Sequence, residues 1–517
     1  MASQTLLISL LGAAPILLLA VGAYLIRLNQ LLLGTPDEIK KISPSSSRWT
    51  EQMLLETYKK LQKDPITTKS YATQIPPKLN RRYIVTGGSG LVGGYIVLQL
   101  LERGQPPESI RIVDFRRPSR KDLLFDPVAA QVDFVQADIS SAESTTKAFQ
   151  KPWRHPSVAS PPLTVFHTAA VIVPSDRSKL VYGFCEAINV RGTQNVVEAA
   201  RQASADILIS TTSGSISIRP VGIWMAPWRM LRPRSSSSWP HNFWQVLDEK
   251  DFLEHLRKHE GYYSNYAASK AAAERIVCAA NENNFRTGSI RPANGVYGNF
   301  SDNTLGATLG SPVTPTWASH TVQSFVHGIN VAIAHLQFEA VLASSCSSSP
   351  DDLTSSMPPQ AGRPFVVTDP NPPIAYSDLY RAVGTLSSTP FRTVPLNPIL
   401  MVLLSYPTEW YSLLLARYPF LRKVLPNLHG DLKHLKPGVF SICTHLIASN
   451  DTAGRPVSDG GLGYTGVLTT LQGMVQEILE WNLEHADAKG IKSYQTSISA
   501  GDEMTKLAAA ANMVTDG

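Results

Sequence analysis

A glycine-rich turn between two apolar runs constrains the fold of this chain more than any other feature. Residues 83–85, Tyr-Ile-Val, predict a short buried strand, and residues 95–101 predict a helix. Between them, residues 86–94 have the sequence Thr-Gly-Gly-Ser-Gly-Leu-Val-Gly-Gly. Glycines permit a tight turn and a close approach of the backbone to a ligand, and a helix N-terminus offers free N–H groups to an anion. The pattern therefore predicts a strand–turn–helix unit that holds a phosphate group.

Two glycine registers fit this turn, G-x-G-x-x-G from Gly88 and G-x-x-G-x-x-G from Gly87. A second predicted strand, residues 110–113, runs into Asp114, about twenty residues after the last glycine. An acid at that distance is where the ribose hydroxyls of NAD are bound. We therefore predict an NAD site with these contacts: Gly87, Gly90, Leu91, Val92, Gly93 and Asp114.

NADP is the alternative cofactor, because Arg116 and Arg117 follow Asp114 closely and could hold a 2′-phosphate. The carboxylate of Asp114 would repel that phosphate. The sequence therefore favours NAD and leaves NADP open.

Strands and helices continue to alternate after Asp114. A predicted strand at residues 132–135 ends near Asp138, where an acid commonly holds the adenine, and another lies at residues 164–166. Small residues after the latter, including Ala169, would let the backbone lie against the nicotinamide. A helix predicted at residues 189–200 leads to a fifth strand at 206–210. The fold class predicted is α/β, with a Rossmann-type doubly wound parallel sheet. For His167 and Asn189 a structural role and a functional role stay open.

A possible catalytic pair follows the fifth strand. Tyr266 and Lys270 form a Y-x-x-x-K sequence, and a four-residue spacing places both on one face of a helix. An ammonium beside a phenol favours the phenolate, so we expect a lowered pKa for Tyr266 and a role as general base. Lys270 can also bind the nicotinamide ribose, and the Ser213 hydroxyl can hold the substrate oxygen.

These motifs together resemble the 3β-hydroxysteroid dehydrogenase/isomerase family of extended short-chain dehydrogenases, which includes sterol-4α-carboxylate 3-dehydrogenases. The matching stretches are residues 86–93, 165–170, 189–200, 211–213, 266–270, 291–292, 296–298, 324–332, 362–369, 462–464 and 480–481. The resemblance implies a triad of Ser213, Tyr266 and Lys270, with Pro292 lining the nicotinamide site. Two points depart from the pattern or stay open. Ile329 stands where an acid usually precedes Asn330, and Thr212 or Ser215 could replace Ser213.

The N-terminal stretch is uncharged and apolar over residues 6–26, which as a helix would span roughly 32 Å, enough to cross a bilayer core. No Lys or Arg precedes it, whereas Arg27, Lys40, Lys41 and Arg48 follow it, so the chain after the helix is expected in the cytosol. A cleaved signal peptide is the alternative, but no basic residue precedes the apolar run and no clear cleavage site follows it. With the family resemblance, this implies a single-pass anchor in the endoplasmic reticulum membrane.

Composition limits the partners. A net charge of +6 over 517 residues is too small to suggest nucleic-acid binding, and a 43% apolar fraction supports a large core. The four cysteines lie far apart and suggest neither disulfides nor a metal site, and we predict no bound metal. We expect a small-molecule substrate and membrane lipid as partners, and leave a homodimer open.

The predicted organisation has five parts: an anchor at 1–34, a juxtamembrane linker at 35–80, the NAD-binding domain at 81–300, a substrate-binding part at 301–490 and a tail at 491–517. The linker is expected to hold one amphipathic helix, near 48–61, and an extended tether at 65–77. An insertion at 216–250 contains four tryptophans and several arginines, which suits a membrane interface or an apolar substrate mouth. Residues 346–360 predict a disordered loop, and residues 398–415 a buried or interfacial helix.

The leading hypothesis is a membrane-anchored NAD-dependent dehydrogenase that oxidises the 3-hydroxyl of a sterol or triterpenoid, with or without loss of a carboxyl at C4. Two alternatives from other classes are a nucleotide-sugar epimerase or dehydratase with the same fold and triad, and a non-catalytic NAD-binding scaffold at the membrane.

Overall fold

The computed structural model describes residues 2–230, 238–344 and 357–486 of the chain. Numbered in chain order, its α-helices are α1 Ala2–Leu32, α2 Asp37–Ile42, α3 Glu51–Lys63, α4 Leu91–Glu102, α5 Lys121–Leu124, α6 Ala142–Gln150, α7 Gly183–Cys185, α8 Gly192–Gln202, α9 Pro227–Met230, α10 Asn265–Ala279, α11 Leu305–Leu309, α12 Gly328–Ser344, α13 Tyr376–Leu386, α14 Pro398–Arg417, α15 Gly430–His434, α16 Val439–Ile442, α17 Asp451–Gly454 and α18 Thr470–His485. Most of the predicted loop at 346–360 and the whole predicted tail lie outside the described residues.

The strands are β1 Arg82–Thr86, β2 Ile110–Asp114, β3 Asp133–Gln136, β4 Leu163–His167, β5 Ala205–Thr211, β6 Trp244–Leu247, β7 Arg286–Pro292, β8 Val296–Tyr297, β9 Val313–Thr316, β10 Val322–Gln323, β11 Val326–His327, β12 Pro364–Val367, β13 Ile374–Ala375, β14 Arg392–Pro395 and β15 His445–Ala448.

Seven strands form one sheet in the order β12-β7-β5-β4-β1-β2-β3, and every neighbouring pair in it is parallel. The order reverses between β1 and β4, as it does in doubly wound nucleotide-binding folds. Successive residues of β1 point to opposite faces, so Tyr83 and Val85 join the core under α4 and α12, while Ile84 joins the core under α6 and α8. The predicted fold class is confirmed, and the five predicted strands are all present.

The last strand of this sheet comes from beyond the boundary predicted at residue 300. Strand β12, residues 364–367, pairs with β7, and helix α12 packs against α4. The nucleotide fold therefore continues past residue 300 and takes elements from the part assigned to substrate binding. Outside the nucleotide fold, the C-terminal part consists mainly of residues 301–327 and of the residues after 367.

The Trp-rich insertion is joined to the C-terminal part by a second sheet of four strands, β13-β10-β15-β6. Strand β6 lies in the insertion and pairs in parallel with β15 over four residues. The insertion is therefore held by backbone hydrogen bonds at its C-terminal end and is not a free loop.

The segment predicted as a linker is packed onto the C-terminal part. Helix α3 lies against α13 and α18, and Leu54 and Leu61 are buried there. Trp49 donates its backbone N–H to Asp378, which also pairs with Arg48 at 3.0 Å. The amphipathic helix was predicted close to its place, but the description of residues 35–80 as a spacer is wrong, because its apolar face completes a core.

The predicted extended tether at 65–77 also differs from the structure. Thr68–Gln74 forms a short 3-10 segment, and Tyr71 and Ile75 are buried against the nucleotide domain. The many polar residues and prolines around these two side chains hid them in the sequence.

Two stretches of the described residues are long and apolar enough to cross a bilayer, Pro15–Ile42 and Pro398–Arg417. The first stretch covers the part of the predicted anchor whose side chains are described, residues 15–34. Within it, Leu18 and Leu19 are more than 70% exposed. Among the residues of α1 whose side chains are described, those of the last turns pack against the protein, through Leu28, Leu31 and Leu32.

The packing of α3 predicts a specific loss of stability. Leu54→Ala should lower the free energy of unfolding by about 2–5 kcal/mol, because Leu54 is fully buried and its removal leaves a cavity. Leu55→Ala, at the neighbouring and 40% exposed position, is the matched control and should change it by less than about 0.5 kcal/mol. Denaturant unfolding of the full chain in detergent measures both, and equal effects would contradict the packing of α3.

Candidate active site

The glycine turn after β1 is fixed by two close approaches of the backbone. Gly87 has a left-handed φ of +74°, and a Cβ there would lie 2.6 Å from the backbone nitrogen of Ala169. A Cβ on Gly93 would lie 2.4 Å from the Gly87 oxygen. Both positions therefore require glycine. Because Gly93 belongs to both registers, it is the left-handed Gly87 that favours the register of Gly87, Gly90 and Gly93.

The front of the turn is open. A Cβ on Gly90 would meet only the Gly87 oxygen, at 3.2 Å. Gly90 is the N-cap of α4, and Leu91 and Val92 form its first turn, where backbone N–H groups lack partners within the helix. The turn therefore fits an anionic group such as a pyrophosphate, as the sequence predicted.

Asp114 lies at the carboxyl end of β2 beside this turn. Its carboxylate accepts the backbone N–H groups of Ser89 and Arg116, each at 3.1 Å, so it is held at the edge of the turn. Burial raises the pKa of Asp114, while these backbone donors lower it. The Arg117 guanidinium lies over the Phe134 ring, 5.5 Å from its centroid, which directs it along β3.

Three other predicted cofactor residues have structural contacts. Asp138 follows β3 and accepts both the backbone N–H and the hydroxyl of Ser140, at 2.9 and 2.8 Å. Ala169 lies against Gly87, and Pro292 ends β7 as a buried residue whose carbonyl oxygen lies close to Gly214. A role in binding adenine or nicotinamide stays a prediction for each of them.

His167 and Asn189 take structural positions. His167 is buried, with Nδ1 2.7 Å from the Thr86 hydroxyl and Nε2 2.9 Å from the Thr193 hydroxyl, and it ties β1 and β4 to α8. Burial, aided by the nearby charge of Lys270, lowers its pKa to about 3, so the ring is neutral.

The side-chain amide of Asn189 bonds both the N–H and the carbonyl of Val171 and donates to the Ser269 hydroxyl at 2.9 Å. The helix around it begins before the predicted start, at Gly183, and passes through a π-helical stretch at Glu186–Arg191. Asn189 lies within this π-helical stretch, and its side chain is buried.

The proposed triad comes together at the end of β5 and the start of α10. Ser264 caps α10 by accepting the N–H of Ala267, which fixes the turn that carries Tyr266. The Ser213 hydroxyl lies near the Tyr266 phenol and lowers its pKa, and its oxygen accepts the Ser215 backbone N–H at 3.2 Å. Lys270 lies one turn further along the same helix, and its Nζ donates to the Thr211 carbonyl at 2.7 Å.

The neighbouring hydroxyls have other partners. Thr212 donates to the Glu274 carboxylate at 2.9 Å, and the buried Ser215 hydroxyl has no hydrogen-bond partner among the described residues. Of the three hydroxyl residues left open by the sequence, Ser213 is the one that acts on the Tyr266 pKa.

The pKa values differ from the sequence expectation. Burial raises the pKa of Tyr266 to about 12, although the nearby Ser213 hydroxyl lowers it. Burial also lowers the pKa of Lys270 to about 8, opposed by the charge of Glu274. The expected depression of the Tyr266 pKa by Lys270 is therefore wrong for the chain alone, because desolvation of the phenol outweighs it and the lysine bonds to a backbone carbonyl.

A buried ion pair behind α10 was missed by the sequence reasoning. Arg291 on β7 donates Nε and Nη2 to the two carboxylate oxygens of Glu274, at 2.8 and 2.5 Å, and both side chains are 1% exposed. Glu274 lies four residues after Lys270, on the same face of α10. That spacing is the signal that could have identified it.

The same arginine reaches the end of the insertion. Its Nη1 donates to the Asp251 carboxylate at 2.6 Å and to the Asp248 carbonyl at 2.9 Å. Arg291 therefore joins the helix that carries Tyr266 to the segment that follows the Trp-rich insertion.

The four tryptophans of the insertion separate into two pairs. Trp239 stacks on Phe243, with ring centroids 5.7 Å apart, and Trp244 lies half-buried on β6. Trp224 and Trp228 are 44% and 67% exposed. Residues 231–237, which hold the arginines at 232 and 234 and all of the serine run except Ser238, lie outside the described residues.

Comparison with known proteins gives a family match in two blocks. The sequence profile of the 3-beta hydroxysteroid dehydrogenase/isomerase family matches residues 84–220 and 245–388. Residues 221–244, between the blocks, lie inside the Trp-rich insertion.

Two curated relatives are mouse 3 beta-hydroxysteroid dehydrogenase type 7 and human sterol-4-alpha-carboxylate 3-dehydrogenase, decarboxylating. The mouse protein is 29% identical over 225 residues, which is 42% of this chain and 50% of that protein. The human protein is 28% identical over 243 residues, which is 44% of this chain and 51% of that protein. The chain therefore spans about half the length of each.

Solved structures are more distant. An epimerase from Methanothermobacter thermautotrophicus is 14% identical with a TM-score of 0.48, over 81% of this chain and 96% of that one. A UDP-glucose 4-epimerase from Thermus thermophilus, solved with NAD, is 21% identical with a TM-score of 0.39, over 61% of this chain and 87% of that one.

The depressed pKa of Lys270 predicts a pH-dependent effect on stability. The pKa falls from 10.5 to about 8 on folding, so the buried ammonium destabilises the fold below pH 8. This penalty disappears as the pH rises from 8 towards 10.5, where the unfolded chain also loses the proton. Lys270→Met removes this penalty but also loses the hydrogen bond to the Thr211 carbonyl, which is worth about 1 kcal/mol. The free energy of unfolding at pH 7 should therefore rise by a net amount of about 2 kcal/mol.

Denaturant unfolding at pH 7, 8, 9 and 10 measures the difference between variant and parent, which should shrink across this range. Lys59→Met, at an exposed lysine of α3, is the control and should give no such trend. A gain that does not depend on pH would contradict the burial of a charged Lys270.

Proposed function

The chain belongs to the 3-beta hydroxysteroid dehydrogenase/isomerase family, and from this premise we propose that it is an NAD-dependent dehydrogenase anchored in a membrane. Its substrate would be a sterol or triterpenoid, whose 3-hydroxyl it oxidises to a ketone. The placement of the Ser213 hydroxyl near the Tyr266 phenol, with Lys270 one turn away, is the observation that carries this proposal.

The residues of the site have separable roles in this reaction. Ser213 would hold the substrate oxygen, and Tyr266 would remove its proton as the C3 hydride leaves. When bound, NAD supplies the nicotinamide ring that accepts this hydride. A Tyr266 pKa of about 12 in the chain alone disfavours the phenolate, and the nearby Ser213 hydroxyl offsets part of this effect.

Lys270 has two functions in the proposal. Its charged form would stabilise the phenolate, and its amine would bind the nicotinamide ribose. Glu274 supports the charged form, because its carboxylate raises the Lys270 pKa against the effect of burial.

The glycine turn and Asp114 fit NAD. The open side of Gly90 would admit the pyrophosphate at the N-terminus of α4, and the Asp114 carboxylate would accept the ribose hydroxyls. Asp138, Ala169 and Pro292 would line the adenine and nicotinamide ends.

Loss of a carboxyl would need no further catalytic residue. If the substrate carries a carboxyl on the carbon next to C3, its oxidation gives a β-keto acid, which can release CO2 by itself. This variant is supported by the similarity to a relative named as a decarboxylating sterol dehydrogenase.

Helix α1 would anchor the protein in the endoplasmic reticulum membrane, with the catalytic part in the cytosol. The apolar exposed segment of α1 and the basic residues that follow it support this arrangement. A membrane location also suits a substrate that resides in the bilayer.

The reaction is tested by following NAD reduction with 3β-hydroxysterols, with and without a 4-carboxyl, and by following the conversion of UDP-glucose by chromatography, because an epimerase regenerates its NAD. We expect turnover of a sterol and none of the nucleotide sugar. Tyr266→Phe should reduce turnover at least about 100-fold with little change in NAD affinity, because only the ionisable oxygen is lost. Tyr263→Phe, three residues earlier and also buried, is the matched control and should keep most of the activity.

Turnover of the sugar alone, or a Tyr266→Phe variant within about tenfold of the parent, would contradict the proposed reaction and base.

Cofactor preference gives a separate prediction. Asp114→Ala should lower kcat/KM with NAD and raise the NADP-to-NAD ratio, because it removes a ribose acceptor and a charge that repels the 2′-phosphate. Asp138→Ala should affect both cofactors equally, since adenine is common to them. An unchanged ratio in Asp114→Ala would mean that another acid selects the cofactor.

A further inference from the structure

Helix α14 has an exposed apolar face, which is unusual for a helix on the surface of a water-soluble protein. Its inward face is mixed, with Ile399 and Val402 buried beside Ser405 and Thr408. Its outward face contains Leu400, Leu404 and Trp410, which are 53%, 50% and 65% exposed. Water disfavours this arrangement, because a soluble helix buries its apolar stripe and exposes its polar one.

The exposed apolar face of α14 continues onto neighbouring segments. Trp224 of the insertion donates its indole N–H to the Tyr406 hydroxyl at 2.9 Å, which joins the insertion to α14. Trp228 follows on α9, and the segment after α14 exposes Phe420 and Val424 by 65% and 83%.

We call the following residues the apolar surface: Trp224, Trp228, Leu400, Leu403, Leu404, Tyr406, Trp410, Phe420 and Val424.

All the strongly exposed tryptophans lie on the apolar surface. The chain has nine tryptophans, each within the described residues, and only Trp224, Trp228 and Trp410 are more than a third exposed. Tryptophan is enriched where proteins meet the headgroup region of a membrane, since its ring is apolar and its N–H is polar.

The apolar surface surrounds the place where α1 leaves the protein. Leu28 and Leu31, near the end of α1, are buried in one cluster with Ile399 and Val402 of α14 and with Met225 of the insertion. Further towards its start, α1 is exposed on all sides from residue 15 to residue 21. A membrane that holds the start of α1 would therefore lie next to the apolar surface.

We propose that α14 lies flat in the membrane interface and that the apolar surface is a second, monotopic contact with the lipid bilayer. This inference rests on the proposed anchoring by α1. Both segments that form the surface, within 221–244 and 398–424, lie outside the residues matched by the family profile.

A flat orientation is favoured over a membrane-spanning one by the inner face of α14. Glu409 accepts two hydrogen bonds from Arg177, at 2.8 and 2.7 Å, which fix the middle of the helix to the cofactor half. A spanning helix would carry Glu409 into the hydrocarbon, where a carboxylate is costly. With one face on the protein and the other apolar and exposed, the helix fits the plane of the interface.

Charge at the end of α14 suits anionic headgroups. Residues 417–430 contain the exposed cations Arg417, Arg422 and Lys423 and no Asp or Glu. Basic residues beside an apolar face are typical of helices that bind anionic lipid surfaces.

The test uses the full chain in vesicles of phosphatidylcholine and phosphatidylserine whose acyl chains carry bromine near the ester or near the chain end. Bromine quenches tryptophan fluorescence at short range, so the two positions report shallow and deep tryptophans. We expect stronger quenching by the shallow bromine. Trp410→Phe and Trp228→Phe should each remove roughly a third of this quenching, because three exposed tryptophans share it.

Two controls make the readout specific. Trp153→Phe, at a half-buried residue beside Arg82 and Arg111 of β1 and β2, should leave the quenching unchanged. Leu404→Asp should reduce the quenching, whereas Leu483→Asp, at a 69% exposed leucine of α18, should not.

Flotation of the same vesicles separates this inference from the anchoring. A parent protein that floats but shows no loss of quenching in Trp410→Phe would overturn the bilayer contact and keep the α1 anchor. Stronger quenching of Trp410 by the deep bromine would overturn the flat orientation in favour of a spanning helix. A doubling of mass in detergent that Leu404→Asp abolishes, without bromine quenching, would make the surface a contact between two copies. Failure to float would overturn both the anchor and the bilayer contact.

Discussion

The buried ion pair of Glu274 and Arg291 is the interaction on which the site depends. It is bidentate and fully enclosed, and removal of one partner would leave an unpaired charge in the core, typically at a cost of about 3–5 kcal/mol. Glu274 holds Thr212, the residue before Ser213, and lies one turn after Lys270 on α10. Through Arg291 the same pair reaches the end of the insertion. One charge pair therefore fixes the strand end that carries the serine relative to the helix that carries the tyrosine and lysine.

Much of the nucleotide half could be predicted from the sequence, because local patterns determine it. The strand–turn–helix at Gly87–Gly93, the acid at Asp114 and the alternating strands follow from spacing and periodicity. The glycine register needed the structure, since the two choices share Gly90 and Gly93, and the left-handed φ of Gly87 and its contact with the Ala169 backbone favour the register that includes it. The direction of the Tyr266 pKa shift also required the structure. The Y-x-x-x-K spacing shows neither the burial of the phenol nor the hydrogen-bond partner of Lys270.

Other features depend on contacts between distant residues. Strand β12 pairs with β7 across more than seventy residues, so a boundary drawn at residue 300 divided one sheet. Helix α3 is amphipathic by sequence, but its partners α13 and α18 lie over 300 residues away, and a spacer was the simpler interpretation. The polarity of α14 was ambiguous for the same reason, because its composition does not tell which face meets the protein.

The central claim is that a sterol hydride is transferred to NAD at the site formed by Ser213, Tyr266 and Lys270. The most direct measurement uses a 3β-hydroxysterol with deuterium on C3 and follows the label by mass spectrometry. The account predicts that the deuterium appears on the nicotinamide ring of the released, reduced cofactor, in equal amount with the ketone formed. Deuterium that remains in the sterol, with no reduced cofactor released, would contradict it.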